Sequence, residues 1–516
     1  MQKSLVRKGL VLGIIVLFVG TSVVPSISGN IESSISNNII YVDDDAPNSG
    51  QGTSWSDAFN HLQDALAAAE ANDEIRVAKG EYRPDRGNNQ TPGDRYATFQ
   101  LLENVTMKGG YAGLGTAIPD ARNIRMYETV LSGDLADNDG PGFENYTENS
   151  LNVITGNNTQ ETTIIDGFTI TGGCANENSP PEDRWGGGMY NKNGSPTIIN
   201  CTFSMNYAWY GGGIFNIQHS SPTVINCTFI ENTAYSRGGG VGNFINSNPT
   251  LINCVFIGNS AYHWTGGGMH NYYSNPTLIN CIFNGNTAVD AGGGICNYDC
   301  SNLLLINCIF SANSAPYGRA HACDSQHQQG PSNTRIINCI IWDGGDEMWN
   351  NDNSTIDITY SDVQDGWPGL GNIDLDPLFV DPDGMDDIPA TEDDNLRLLP
   401  DSPCIDAADN SAIPDDIFDL DSDGIIDEPI PLDLDDNPRF VEDPNTNDTG
   451  NGTPPIVDMG AYEFQVVILN NPPLQPNISG FSLGVTGVEY TYTAVTTDPD
   501  DDDIAEYIVN WGDGTG

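Results

Sequence analysis

A fixed set of residues returns about every 27 positions through the middle of the chain, and this repetition restricts the possible folds more than any other feature. Triple glycines begin at Gly186, Gly211, Gly238, Gly266 and Gly292. Each is followed by an apolar residue and then by Asn: Met189 and Asn191, Ile214 and Asn216, Val241 and Asn243, Met269 and Asn271, Ile295 and Asn297. An Asn-Cys pair recurs at Cys201, Cys227, Cys254, Cys281, Cys308 and Cys339, and Phe203, Phe229, Phe256, Phe283 and Phe310 follow the first five. Next come Asn206, Asn232, Asn259, Asn286 and Asn313, with Ala two places on.

Proline and three glycines in every period disfavour helix, whereas short β-branched runs such as "PTVIN" and "PTLIN" read as strands of four or five residues. One such unit cannot bury its apolar side alone. Stacked units can, each strand pairing in parallel with its equivalent one coil on, about 4.8 Å away. The pattern predicts an all-β parallel β-helix; a leucine-rich horseshoe needs a Leu repeat that is missing. Phe and the apolar residue after the glycines fill the interior, and columns of Asn pass amide hydrogen bonds from coil to coil.

The six repeat cysteines fall in one column. In-register side chains point alike and fit a disulfide dihedral poorly, so they are expected as buried thiols. Cys296, Cys300 and Cys323 lie off that column and are the better candidates for a bond.

Lys3, Arg7 and Lys8, an apolar run from Leu10 to Val19 and small residues near Gly29 have the layout of a secretory signal over 1–29, too short for a membrane span. Acidic residues number 71 against 18 basic, a net charge of −53, which excludes nucleic acid as a partner and disfavours anionic membranes. The excess concentrates between 374 and 443, which hold 21 Asp and only Arg397 and Arg439 as bases. There, "DLDSDGIIDE" sets Asp419, Asp421 and Asp423 at alternate positions, with Gly424 at the turn and Asp427 beyond. That spacing predicts a structural Ca²⁺ loop of the extracellular kind, against a solvated acidic loop; position twelve is Ile430, not the Glu of an EF-hand.

The paired Phe-x-x-Asn and Gly-Gly-Gly-apolar repeats resemble those of the polymorphic outer membrane protein family and, more broadly, the right-handed β-helix proteins similar to pectate lyases. The resemblance covers five repeats and implies a right-handed, three-sided coil and, for the polymorphic proteins, adhesion. Nothing after residue 465 alternates like their membrane barrel. From Tyr41 the chain resembles the entry segment of secreted β-helix proteins, with a helix expected over about 56–71 whose face is Ala58, Leu62, Ala65, Leu66 and Ala69. "DPLFVDPDG" and "VDMGAYEF" resemble their closing region. "TDPDDDD" and "WGDGT" resemble a polycystic kidney disease type domain, an immunoglobulin-like β-sandwich, of which about half is present. The expected organisation is a signal at 1–29, an α/β cap at 39–95, the β-helix at 96–340 and most regular over 186–313, an Asp-rich closing region at 341–466, a Pro-rich linker at 467–480 and the partial sandwich at 481–516. Further domains are expected beyond residue 516.

For function, the repeats 186–340 carry few acids, Glu231, Asp290, Asp299 and Asp324, and these share no repeat position; polygalacturonase-like Asn-Thr-Asp and Gly-His-Gly motifs are absent. His321, Cys323, Asp324 and His327 are ligand types for Zn²⁺ or copper, but they sit where the glycine signature fails, and an irregular loop is the simpler reading. The aromatic load is the better signal: Trp185, Tyr190, Trp209, Tyr210, Phe215, Tyr235, Tyr262, Trp264 and His270, with His263 and Tyr272 beside them. Rings at positions the repeat leaves free, alternating with inward residues, predict an outward strip on which sugars stack. The plainer alternative is that they pack on one another. These features predict a secreted or cell-surface, non-catalytic protein for adhesion or binding of an extracellular polysaccharide. The alternatives are a polysaccharide lyase or glycoside hydrolase and a structural stalk. Asn104, Asn145, Asn353 and Asn477 are glycosylation sequons; Asn200 and Asn226 also match but are expected inside the coil.

Overall fold

A computed structural model of the chain describes residues 38–47, 50–177, 181–324, 330–351 and 353–465, plus two short strands, Asn477–Ser479 and Thr493–Val495, paired antiparallel. The expected signal, and the linker and sandwich-like segment apart from those six positions, lie outside the described residues, as does His327.

One coil shows how the repeat is used. Met189–Lys192, Thr197–Ile199, Thr202–Ser204 and Tyr207–Tyr210 are successive short strands. Each pairs in parallel with its equivalent in the next coil, Met189 with Ile214, Thr197 with Thr223, Thr202 with Thr228 and Tyr207 with Thr233. Carried along the chain, these pairings build parallel sheets of nine, eleven, ten and five strands, here called faces 1 to 4 in the order just given. The molecule is a right-handed parallel β-helix, the handedness that strand twist imposes on such connections. The resemblance implied three sides; the short fourth exists because the segment between the Asn206-type column and the glycines stays extended, as in Thr233–Arg237 and Ser260–Ala261.

Two local devices close each coil. Asn200, Asn226, Asn253, Asn280, Asn307 and Asn338 all take left-handed φ, between 50° and 57°, turning the chain from face 2 to face 3. The first glycine of each triplet is also left-handed, and a Cβ on the third would meet the next coil, at 2.6 Å from the Gly240 carbonyl oxygen in the case of Gly213.

Inside, Phe203, Phe229, Phe256, Phe283 and Phe310 stack with ring planes within 9° of parallel and centroids 4.4 to 5.2 Å apart. Two buried Asn ladders flank them. Asn191, Asn216, Asn243 and Asn271 each donate Nδ2 to Oδ1 of the next Asn, ending at Asn297, every bond 2.9 Å. Asn206, Asn232, Asn259 and Asn286 do the same at 2.9 to 3.0 Å, ending at Asn313. The six repeat thiols lie buried in single file, each Sγ donating to a carbonyl of its own coil, and none is bridged. Cys296, expected as a disulfide candidate, is an unbridged buried thiol packed with Ala291 and Ala322, and its column neighbours, His270 and Ala322, are not cysteines.

Asn200 and Asn226 depart from expectation. At a left-handed corner the side chain is thrown outward while the following Cys points in, so Asn226 is exposed and Asn200 half-buried. Asn280, Asn307 and Asn338 are buried for a different reason: carbonyls of Leu432, Asp458 and Asp409, from the Asp-rich segment, cover them.

The entry helix runs Leu62–Ala68, shorter than the expected 56–71. Phe59 is the cause: its N–H donates to the Tyr41 carbonyl and its carbonyl accepts from Asp43 N–H, so its backbone belongs to the sheet and helix can start only afterwards. Leu62, Ala65 and Leu66 then cover the first coil alongside Ile40, Val42 and Phe99.

The Asp-rich segment lies along the flank of faces 2 and 3. Leu396, Leu398, Ile405, Val457 and Met459 pack on Ile282, Ile309 and Ile340, which point out of face 3. Arg439, fully buried, donates to the carbonyls of Gly460 and Ala461 and to Asn280 Oδ1, with Glu463 at 3.8 Å. Among the described residues no helix is long and apolar enough to cross a membrane.

Candidate functional site: an aromatic strip on face 4

The nine aromatic positions separate into two layers. Residues alternating with inward Met189 and Ile214 do point out of face 1, but Tyr190, Phe215 and His270 are buried there, contrary to the expectation of exposed rings. Neighbours cover them: Trp185 lies 5.3 Å from Phe215 and 6.1 Å from Tyr190, and Tyr210 lies 6.1 Å from Phe215. Gly242, the next residue in that column, has no side chain, and the Phe215 ring occupies the space its Cβ would take. These rings form a satellite core with Ile217 and Phe244. His270 donates or accepts through Nδ1 to Thr265 Oγ1 at 2.9 Å, and burial with Arg237 nearby holds it well below the usual imidazole range.

The second layer faces solvent. Ala208, Ala234 and Ala261 point inward on face 4, so the residues after them point out. Trp209 and Tyr235 are half-buried, with centroids 4.2 Å apart, and His263 continues the row 4.3 Å beyond Tyr235. The Arg184 guanidinium closes the lower side of Trp209 at 5.0 Å. Tyr262 is 64% and Trp264 41% exposed, and Val289 follows on the next coil; Tyr317, 50% exposed, lies toward face 1, stacked on Trp349 at 5.0 Å. Arg237 sits between Trp264 and Tyr298, 5.4 and 5.0 Å from their ring centres. Tyr317 was missed from sequence, although it holds the position before the glycine that Tyr210 occupies in an earlier coil; the triplet there is reduced to Gly318.

The metal candidates separate as well. His321 and Cys323 point inward, in the columns of Ile295 and Asn297, whereas Asp324 follows Tyr298 and points outward, so strand alternation parts the expected ligands. His321 Nε2 lies 3.0 Å from Thr334 Oγ1 and 3.3 Å from Cys323 Sγ, and burial lowers it to about 4. Asp419, Asp421 and Asp423 do converge, with one ligand oxygen from each within 4.8 Å of the others, and Gly424 turns with φ +85°. Asp427, expected as a fourth ligand, is not in that group. The all-oxygen donor set fits Ca²⁺.

On face 3 a cleft of about 590 Å³ is lined by Glu128, Glu231 and Glu392, with Thr169 and Thr202 on its floor. Sequence reading found only Glu231, since Glu128 precedes the regular repeats and Glu392 comes from the flanking segment.

No protein-family model matches the chain, and no curated protein sequence does. Among solved structures, a pectate lyase, Pel9A, is similar at 13% identity over 83% of this chain and 96% of its own, with a TM-score of 0.42. A rhamnogalacturonan lyase is similar at 11% identity over 70% of this chain and 97% of its own, TM-score 0.40. The pectin methylesterase PemA from Erwinia chrysanthemi is similar at 10% identity over 64% of this chain and 90% of its own, TM-score 0.27. The parallel-coil architecture stands on the strand pairings above, independently of these likenesses.

Proposed function

We propose that the protein is a non-catalytic, secreted or cell-surface β-helix that binds an extracellular polysaccharide along face 4. One observation carries this reading: Trp209, Tyr235, His263, Tyr262 and Trp264 form an outward row of rings across successive coils, half-buried at Trp209 and Tyr235 and exposed at the other three. Sugar rings lie flat on such apolar faces while polar tips and arginines reach hydroxyls, and a long solenoid face offers many subsites. Ca²⁺ at Asp419, Asp421 and Asp423 is part of the same reading, as a structural ion of the flank. Binding to a panel of immobilised polysaccharides tests the strip. Tyr262→Ala with Trp264→Ala is expected to weaken retention at least about tenfold, the loss of two stacking contacts; an intact protein that no polysaccharide retains, or a double variant that binds unchanged, sinks the proposal.

The three glutamates around the face 3 cleft favour a second reading, a glycoside hydrolase. Release of reducing ends that disappears in Glu231→Gln, with Trp264→Ala fully active, would establish it in place of the first.

A further inference from the structure

We propose a second divalent-cation site, separate from the Asp419 loop, in which Asp406, Glu442 and Asp448 hold one Ca²⁺ and fasten the 441–453 loop to the flank. One oxygen from each of the three carboxylates lies within 4.8 Å of the others. That is the spread expected of ligands around one ion with bonds of about 2.4 Å. Convergence of acids alone would mean little, but Asp406 adds an independent observation. Its side chain is fully buried, and neither carboxylate oxygen has a hydrogen-bond partner; the Asp443 N–H faces it outside bonding geometry. A buried carboxylate without donors is costly. The 441–453 loop contains no arginine or lysine, and the loop carboxylates that act on Asp406, those of Glu442, Asp448 and Asp443, add negative charge.

The backbone presents this carboxylate to the loop. Asp406 takes left-handed φ, 52°, its N–H donates to Asp458 Oδ1 at 2.8 Å, and its carbonyl accepts from Thr449 and Gly450 N–H at 3.0 and 3.1 Å. The loop therefore folds back over the residue whose charge it cannot neutralise. With only oxygen donors and no His or Cys in the group, the ion is a hard one. Glu442 and Asp448 are exposed, which leaves open positions for water on Ca²⁺.

The site stands independently of polysaccharide binding. Its test uses the full chain carrying Asp421→Asn and Asp423→Asn, which takes the other loop out of the comparison. Ca²⁺ is titrated by calorimetry and by thermal unfolding, with Asp406→Asn or Asp448→Asn added singly. We expect either addition to remove one bound Ca²⁺ per chain and the rise in melting temperature that Ca²⁺ produces. In metal-free buffer Asp406→Asn should melt no lower than its parent, because the amide relieves a buried charge. Unchanged Ca²⁺ stoichiometry, a parent without any Ca²⁺ response, or an Asp406→Asn chain equally destabilised with and without Ca²⁺ would each overturn the site.

Discussion

The coil between 186 and 313 and the Asp-rich flank that lies against it are ordered by opposite means. In the coil each rung repeats the rung below, so one residue type satisfies many positions: every ladder Asn beyond the first, Asn191, both donates and accepts, and every Phe meets its own kind. The flank repeats nothing. Short Asp turns hold it locally, as when Asp433 Oδ1 accepts from Asp435 and Asn437 N–H, and single anchors such as Arg439 hold it to the coil. Repetition spreads a fault over neighbouring rungs, whereas an anchor concentrates it.

The largest expected effect tests the coil. Phe256→Ala opens a cavity between two stacked rings and should cost about 4 kcal/mol by denaturant unfolding. If the loss is under about 1 kcal/mol, the rings do not form one continuous core. Arg439→Ala should come next, at about 3 kcal/mol, because it leaves Glu463 and the Gly460 and Ala461 carbonyls buried without their partner. Hydrogen exchange should localise that loss to 395–464 and leave the Asn ladders protected; uniform loosening would show that coil and flank are one cooperative unit.

Asn259→Ala should cost about 2 kcal/mol, since Asn232 Nδ2 and the Phe229 carbonyl lose bonds inside the coil. The smallest effect is a gain with pH. The second Asn ladder ends on Asp343, whose Oδ1 accepts from Asn313 N–H and Nδ2 at 2.7 and 2.9 Å. Burial, and Glu347 beside it, push the Asp343 carboxyl well above its ordinary range. The folded state thus favours the protonated acid, and its stability falls as pH rises from the ordinary carboxylate range toward that raised value. Asp343→Asn keeps the acceptor and removes the charge, so its melting temperature should exceed the parent's at pH 8 and converge with it near pH 3. A constant difference across pH would show that the Asp343 carboxyl titrates alike in the folded and unfolded chain, with no upward shift.

How much was legible follows the same division. The thiol column, the Phe stack and the parallel coil could all be read, because pairing with an identical neighbour turns a repeat in sequence directly into a column in space. The aromatic strip was legible only in part. Trp264 and Phe215 both sit where the repeat places no demand, yet one is exposed and the other buried, and the difference lies in Gly242 a coil above and Trp185 a coil below.

The spacing of Asn, Cys, Phe and Gly by itself determined that this chain coils, which residues face inward, and that its large negative charge is set apart from the repeats. Only the tertiary structure decided that a fourth face forms, that Asp-rich chain lies along two faces and buries Arg439, and that Asp406, Glu442 and Asp448 meet. Those outcomes depend on contacts between residues far apart in the chain that share no period, and a pattern of local spacing carries no information about which distant segment will cover a given surface.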